Sequence, residues 1–208
     1  EILIAIDQHQ IDLVVVGAKG LSGIKRFLLG SVSEWILNDS PCSVLVVRGE
    51  PRWIRRKARN MRILFATDGS QDSQRAVALL KSLHLPKSTH LSILYVVEMP
   101  DSLTGMAGGF TGHLRTTQVT AAMKQTGEQM GKKLLQETRR TLGRRKWCID
   151  EKVTEGHAAD EILKAIKRTR ADLVVVGSRG LTGLRRFLLG SVAHKVARNS
   201  SCSVLVVR

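Results

Sequence analysis

The chain carries one long sequence segment twice, 160 residues apart. The segment D-L-V-V-V-G-x-x-G-L-x-G-x-x-R-F-L-L-G-S-V lies at Asp12–Val32 and again at Asp172–Val192, and the heptapeptide C-S-V-L-V-V-R follows both copies. Residues 1–48 and 161–208 are identical at 29 of 48 positions. A repeat of this length indicates two copies of one domain type, and this constrains the fold class more than any single motif does.

The two copies differ in what precedes them. Residues 61–160 precede the second copy, whereas the first copy begins the chain. We therefore expect 1–48 to be the C-terminal part of a truncated domain and 61–208 to be a complete domain. Residues 49–60 contain five Lys or Arg and one Glu. This basic linker is either a solvated connector or an anion-binding strip.

Apolar runs and helical spacing alternate along the complete domain. We predict strands over 61–67, 91–97, 147–155, 172–177 and 203–207, helices over 70–83, 115–142, 158–169 and 191–198, a loop over 100–113, and a helix C-cap at Gly143. This alternation predicts an α/β fold with a doubly wound, five-stranded parallel sheet, Rossmann-like, plus a partial second copy. Ligands of such sheets bind at the carboxyl ends of the strands.

Composition narrows the class of protein. Hydrophobic residues make up 43% of the chain and charged residues 25%, which is typical of a soluble globular protein. Since no apolar run approaches the ~20 residues of a membrane-spanning helix, we expect no membrane span. Three cysteines leave one unpaired, which argues against a disulfide scaffold and for a cytoplasmic location. No C-x-x-C or Cys/His cluster is present, so we expect no structural zinc site and predict no metal-binding residues.

The net charge of +15 permits three classes of partner. A basic surface attracts nucleic acid, an acidic membrane surface or a polyanionic small ligand, or is simply solvated. The chain has only four Phe, three Trp and one Tyr, without an aromatic–basic pattern for stacking bases. This scarcity argues against nucleic-acid binding.

A glycine motif in the second copy predicts an anion-binding site. Gly177-x-x-Gly180 ends a Val-rich strand, and Gly190-Ser191 follows after nine residues and opens a helix. Glycines let backbone N–H groups approach an anion, and a helix N-terminus is a ready phosphate site. Ser191 either caps that helix or donates to a phosphate oxygen. Because no Walker motif or evident catalytic base is present, we expect no catalytic residues and at most weak ATPase activity.

This arrangement resembles the universal stress proteins, specifically their ATP-binding branch with the signature G-x2-G-x9-G-(S/T). The resemblance covers 61–208 as a full domain and 1–48 as a truncated one. It implies ATP as cofactor, with Mg²⁺ or Mn²⁺ held through the phosphates. The cofactor-binding residues that it implies are Thr67, Asp68, Val96, Val176, Gly177, Ser178, Arg179, Gly180, Gly190, Ser191 and Val192. One departure is Gly156-His157-Ala158, where many members carry Gly-x-Pro.

For some of these residues, more than one role is open. Asp68 would contact adenosine, or would cap the helix that begins near Ser70. Ser178 and Arg179 would face phosphate, and Arg185-Arg186 would lie on the covering loop. The first copy keeps the same signature as Gly17, Gly20, Gly30 and Ser31, but it lacks the strands that would hold adenosine.

The last strands provide a further expectation. Family members commonly dimerise by pairing their last strands antiparallel, so Ser43–Val47 and Ser203–Val207 would pair within the chain or in a homodimer. The leading hypothesis is a nucleotide-dependent stress regulator with one adenine-nucleotide site. The alternatives are a dimerisation module without nucleotide, and a basic surface that binds nucleic acid or membrane.

Overall fold

One seven-stranded sheet contains strands from both copies of the repeat. The computed structural model describes residues 1–18, 29–49, 60–98, 110–143, 146–181 and 189–208, without the side chains of 110–119. The elements are α1 (Ile2–Gln8), β1 (Leu13–Gly17), α2 (Ser31–Asp39), β2 (Ser43–Val47), β3 (Arg62–Ala66), α3 (Gln71–Ser82), β4 (His90–Val97), α4 (Phe110–Leu142), β5 (Cys148–Glu155), α5 (Ala158–Thr169), β6 (Leu173–Gly177), α6 (Ser191–Asn199) and β7 (Ser203–Val207). The strand order is β1-β2-β7-β6-β3-β4-β5.

The five strands β3–β7 are mutually parallel and form the doubly wound sheet that the sequence predicts. Alternating side chains of these strands face opposite sides of the sheet. Leu64, Val174 and Val204 pack on the side covered by α5 and α6. Phe65 and Val175 pack on the side covered by α3 and α4. Burial on both sides explains the unbroken Val runs.

Most predicted boundaries lie within one residue of the observed ones, and the start of one helix is wrong by five residues. Helix α5 and strand β7 match residue for residue. Helix α4 begins at Phe110, so the last four residues of the predicted loop are helical, and residues 100–109 lie outside the described part. Gly and Thr disfavour helix only weakly, by about 1 kcal/mol or less each, and context overrides this preference. Gly143 ends the helix at φ +75° and donates to the carbonyls of Arg139 and Arg140, as predicted for a C-cap.

The two copies join through their last strands. β2 pairs antiparallel with β7, with Leu45 opposite Leu205. The expected pairing of Ser43–Val47 with Ser203–Val207 is therefore present within the one chain. β1 and β6 occupy the outer sides of these two strands. A homodimer formed through the last strands would have to displace this internal pairing.

Two arginines make reciprocal contacts across the junction between the copies. Arg48 Nη2 donates to the carbonyl oxygens of Ala197 and Arg198 at 2.6 and 3.1 Å. Arg208 Nη2 donates to the carbonyl oxygens of Leu37 and Asn38 at 2.7 and 3.1 Å. Each guanidinium therefore satisfies the last carbonyls of the other copy's short helix, where a cation is favoured. Burial lowers the pKa of both guanidinium groups.

The first copy contributes an edge strand to the sheet. Val15 in β1 is 57% exposed, whereas its counterpart Val175 in β6 is fully buried. β6 lies between β3 and β7, and β1 has β2 alone as its partner among the described strands. Across the described ranges, no helix combines the length and the apolar character needed to cross a membrane.

Candidate functional site

The predicted site residues converge where β3, β4 and β6 end. Because these strands are parallel, their carboxyl ends meet at one edge of the sheet. Asp68 follows β3, Val96 lies near the end of β4, and Gly177 ends β6, with Gly180 three residues beyond it. A Cβ placed on Gly180 would lie 2.9 Å from Oδ2 of Asp68. The fold thus brings the half of the site predicted for adenosine against the half predicted for phosphate.

Asp68 holds a turn with one carboxylate oxygen and faces Gly180 with the other. Its Oδ1 atom accepts the backbone N–H of Ser70 at 3.0 Å. The N-cap of α3 is Ser70, whose hydroxyl accepts from the backbone N–H of Ser73. The alternative that Asp68 caps this helix is therefore wrong. The half-buried carboxylate keeps Oδ2 as an acceptor beside the Gly180 loop.

Gly177 has a packing role in addition to the one predicted from its spacing. A Cβ at this position would lie 2.9 Å from the backbone nitrogen of Ser73 and 3.1 Å from the carbonyl carbon of Asp72. These atoms belong to the first turn of α3, which packs directly on the end of β6. The absence of a side chain at Gly177 therefore allows close packing of this helix on the sheet.

The start of α6 offers backbone donors. Gly190 is its N-cap, and the N–H of Gly190 is already donated to the carbonyl oxygen of Ser178 at 2.8 Å. The first hydrogen bond within the helix runs from the N–H of His194 to the carbonyl oxygen of Gly190. The N–H groups of Ser191 and Val192 therefore have no acceptor within α6. Ser191 is exposed and is the first helical residue, so the alternative that it caps α6 is wrong. The helix dipole adds partial positive charge at this point.

A buried carboxylate that the sequence analysis missed anchors the loop after β6. Asp72 is 3% exposed. Its Oδ2 atom accepts from the Ser178 hydroxyl at 2.7 Å and from Arg179 Nε at 3.0 Å, and its Oδ1 atom accepts from Arg75 at 2.9 Å. Ser70 adds a bond from its hydroxyl to the carbonyl oxygen of Arg179 at 3.1 Å. The side chains of Ser178 and Arg179 therefore position the loop.

This network sets the ionisation of Asp72. Burial acts to raise its pKa, but hydrogen bonds from Arg179 and Ser178 and the charges of Arg179 and Arg75 outweigh it, so the pKa is lowered. The carboxylate therefore stays charged within the packed loop. No sequence signal pairs Asp72 with Arg179, because an acidic residue in a first helical turn is equally favoured by the helix dipole.

The remaining predicted residues form the apolar and structural side of the site. Val96 and Val192 are partly buried and pack against the core cluster that contains Val176. Thr67 is buried; it donates its N–H to Leu94 and its hydroxyl to Ser73. These contacts support the polypeptide around Asp68.

The first copy repeats the backbone hydrogen bonds on either side of this loop. Ala18 donates to Val47, and Gly30 donates to Ala18, both at 2.8 Å, as Ser178 and Gly190 do in the second copy. Ala18 occupies the position of Ser178 and has no hydroxyl. Ser31 begins α2 as Ser191 begins α6. Gly20 lies outside the described residues, as do Arg185-Arg186 and most of the basic linker.

Two cavities within the described residues are lined by residues other than the predicted site residues. A groove of about 580 Å³ runs between α4 and β5 and is lined in part by Lys124, Glu128, Lys132 and Glu155. A second cavity lies beside α5. The candidate site where β3, β4 and β6 end is therefore identified by its polar groups and not by a cavity.

Comparisons with known proteins place the chain in a family. The model of the universal stress protein family matches residues 1–48 and 59–208. Universal stress protein YxiE of Bacillus subtilis (strain 168) is 33% identical over 151 residues, which cover 71% of this chain and 98% of that protein.

Two solved structures extend the comparison. A functionally unknown protein from Pseudomonas aeruginosa PAO1 shares the fold at a TM-score of 0.69 and 19% identity; the match covers 99% of this chain and 66% of that one. A universal stress protein solved in complex with cAMP is 27% identical at a TM-score of 0.50, over 71% of this chain and 97% of that chain. Because the family model matches both copies of the repeat, the chain belongs to the universal stress protein family.

Proposed function

We propose that the chain binds one adenine nucleotide, ATP in the first instance, where β3, β4 and β6 end. The observation that carries this proposal is the approach of the Asp68 carboxylate to Gly180, at 2.9 Å from Oδ2 to an added Cβ. An acceptor for ribose or adenine thereby adjoins a loop and a helix start suited to phosphate. The relative solved with cAMP supports an adenine nucleotide as the ligand class.

The residues present fit such a ligand. Asp68 offers a free acceptor oxygen, Val96 and Val192 offer apolar surface, and the N–H groups of Ser191 and Val192 offer donors at a positive helix end. Mg²⁺ or Mn²⁺ would be held by the phosphate oxygens. Asp72 is buried and fully engaged with the loop, so it is not a free base for water. We therefore propose a nucleotide-dependent regulator of the stress response with weak or no ATPase activity.

We further propose that 49–60 is a basic linker and that 61–208 is the domain that holds the nucleotide. All three cysteines are free, which is compatible with a cytoplasmic location.

Calorimetry with ATP and Mg²⁺ tests the proposal. We expect saturable binding near one site per chain, and Asp68→Ala should weaken it roughly 10- to 100-fold, the equivalent of losing a charge-assisted hydrogen bond of ~1.5–3 kcal/mol. Asp7→Ala removes an exposed carboxylate from the first copy and serves as the charge control.

No heat at millimolar ATP, or an Asp68→Ala affinity equal to that of Asp7→Ala, would contradict the proposal. Competition between ATP and cAMP then separates a triphosphate site from a cyclic-nucleotide site. Mass spectrometry of the denatured protein would show which nucleotide is retained through purification.

A further inference from the structure

The first residues of β4 and β5 bring together three side chains of metal-binding type. The two strands are parallel, with His90 opposite Cys148 and Ser92 opposite Asp150. Since side chains two residues apart in a strand share a face, Cys148 and Asp150 point to the same side of the sheet as His90. The group lies at the amino ends of the strands, roughly 20 Å from Val96 at ~3.3 Å per residue.

The donor atoms lie close to one another. One imidazole nitrogen of His90, the Sγ atom of Cys148 and a carboxylate oxygen of Asp150 are all within 4.8 Å of each other. His90 Nε2 and Asp150 Oδ2 are 2.5 Å apart. Donors around a tetrahedral zinc lie roughly 3.3–3.8 Å apart, given bonds of about 2.0–2.3 Å. Small rotations of side chains that are 39% and 62% exposed, His90 and Asp150, would bring the donors to that spacing.

The backbone beneath these side chains is fixed by the sheet. His90 donates its N–H to the carbonyl oxygen of Met61 at 2.8 Å, and Cys148 donates to that of Thr89 at 3.0 Å. The strand starts are therefore held in register before any ion arrives. A preformed arrangement of this kind lowers the ordering cost of binding.

The three cysteines differ in availability. Cys42 and Cys202 occupy equivalent positions in the two copies, and each lies within 3.4 Å of a serine hydroxyl, that of Ser40 or Ser200. Burial raises the pKa of the Cys202 thiol. Cys148 is the exposed cysteine of the three, and it has no counterpart in the first copy.

We infer that His90, Cys148 and Asp150 form a three-ligand site for Zn²⁺ or a chemically similar divalent ion, with a fourth position open to water. Imidazole, thiolate and carboxylate are the donors that zinc takes in proteins, and three protein ligands plus water make an exchangeable site. On binding, Cys148 releases its thiol proton to solvent, and the ion replaces the hydrogen bond between His90 and Asp150. The ion would tie the edge strand β5 to β4, independently of nucleotide.

Titration of the reduced protein with Co²⁺ alone tests this inference. We expect a thiolate-to-cobalt charge-transfer band and tetrahedral d–d bands that saturate at one ion per chain, and that Zn²⁺ bleaches. Cys148→Ser should abolish the charge-transfer band. His90→Gln and Asp150→Asn should each raise the half-saturating concentration at least about tenfold.

Cys42→Ser is the matched control, because it removes a thiol outside the cluster and should leave the band unchanged. Zn²⁺ should raise the melting temperature of the wild type and of Cys42→Ser, but not of Cys148→Ser. Far-UV circular dichroism checks that each variant is folded. A wild type without the charge-transfer band, a band that persists in Cys148→Ser, or d–d bands without a thiolate band would each overturn the three-ligand site.

Discussion

The hydroxyl of Ser178 donates a 2.7 Å hydrogen bond to Oδ2 of Asp72, although the two residues are 106 positions apart. This bond, with the two from Arg179 to the same carboxylate, fixes the loop after β6 to the first turn of α3. The loop that we propose to hold phosphate is thus shaped by a carboxylate buried beneath it. The negative charge of Asp72 has a structural role, because it keeps the Arg179 guanidinium turned toward the protein.

Replacing Asp72 with Asn should lower both stability and nucleotide affinity. The amide cannot match a charged acceptor for Ser178 and Arg179, so we expect a loss of roughly 1–3 kcal/mol in the free energy of unfolding. Urea denaturation measures this loss, and calorimetry with ATP measures the affinity. Asp160→Asn is the control: its partner Lys195 lies on the surface, and an exposed pair contributes about 1 kcal/mol or less. Equal losses in the two variants would refute the anchoring role.

The same carboxylate predicts a pH dependence. The pKa of Asp72 is lowered in the folded state, so its contribution is fully present above the unfolded value of about 3.9 and is lost as the pH falls through the folded value. The stability difference between wild type and Asp72→Asn should therefore narrow below about pH 4. Urea denaturation of both proteins from pH 7 to pH 3 measures this stability difference. A difference that stays constant over this range would show that charge is not the cause.

The two glycines of the Gly-x-x-Gly motif should respond differently to Ala. At Gly177 the added Cβ meets backbone atoms of α3 that cannot rotate away, so we expect a loss of roughly 1–3 kcal/mol in stability. At Gly180, among the described residues, it meets the Asp68 carboxylate, which can rotate. Gly180→Ala should therefore stay within about 0.5 kcal/mol of wild-type stability but weaken ATP binding. Thermal unfolding measures the stability of each variant, and calorimetry measures its ATP binding. A larger loss of stability in Gly180→Ala than in Gly177→Ala would contradict the roles assigned to the two glycines.

Arg48 and Arg208 should contribute equally to the free energy of unfolding. Arg48→Met and Arg208→Met keep much of the side-chain volume but lose the hydrogen bonds to the last carbonyls of α6 and α2. We expect each to cost roughly 1.5–3 kcal/mol in urea denaturation. Arg198→Met is the control, since that side chain is 51% exposed and lies 4.0 Å from Glu34. A loss confined to one of the two arginines would mean that the junction is asymmetric.

The fold was largely predictable because its signals are local or repeated. Apolar runs define β3, β4, β6 and β7, and helical spacing defines α5 to the residue. The repeat made the pairing of β2 with β7 predictable as well, since equal last strands suit an antiparallel pair. The start of α4 was missed because glycine and threonine carry only weak local preferences.

The convergence of the predicted site residues at one edge of the sheet was predictable, but their contacts were not. Spacing identified Gly177 and Ser178 as site residues, whereas their contacts with α3 depend on a packing partner that is remote in sequence. The cluster of His90 with Asp150 was missed for the same reason, because strand register, and not sequence spacing, brings them together.

The antiparallel joint between β2 and β7 has a consequence for access. It reverses the strand direction between the two strands of the first copy and the five that follow, so Gly17 and Gly177 lie at opposite edges of the sheet. A partner that docks over one end leaves the other end facing solvent. A partner that binds the first copy would therefore leave the proposed nucleotide site accessible.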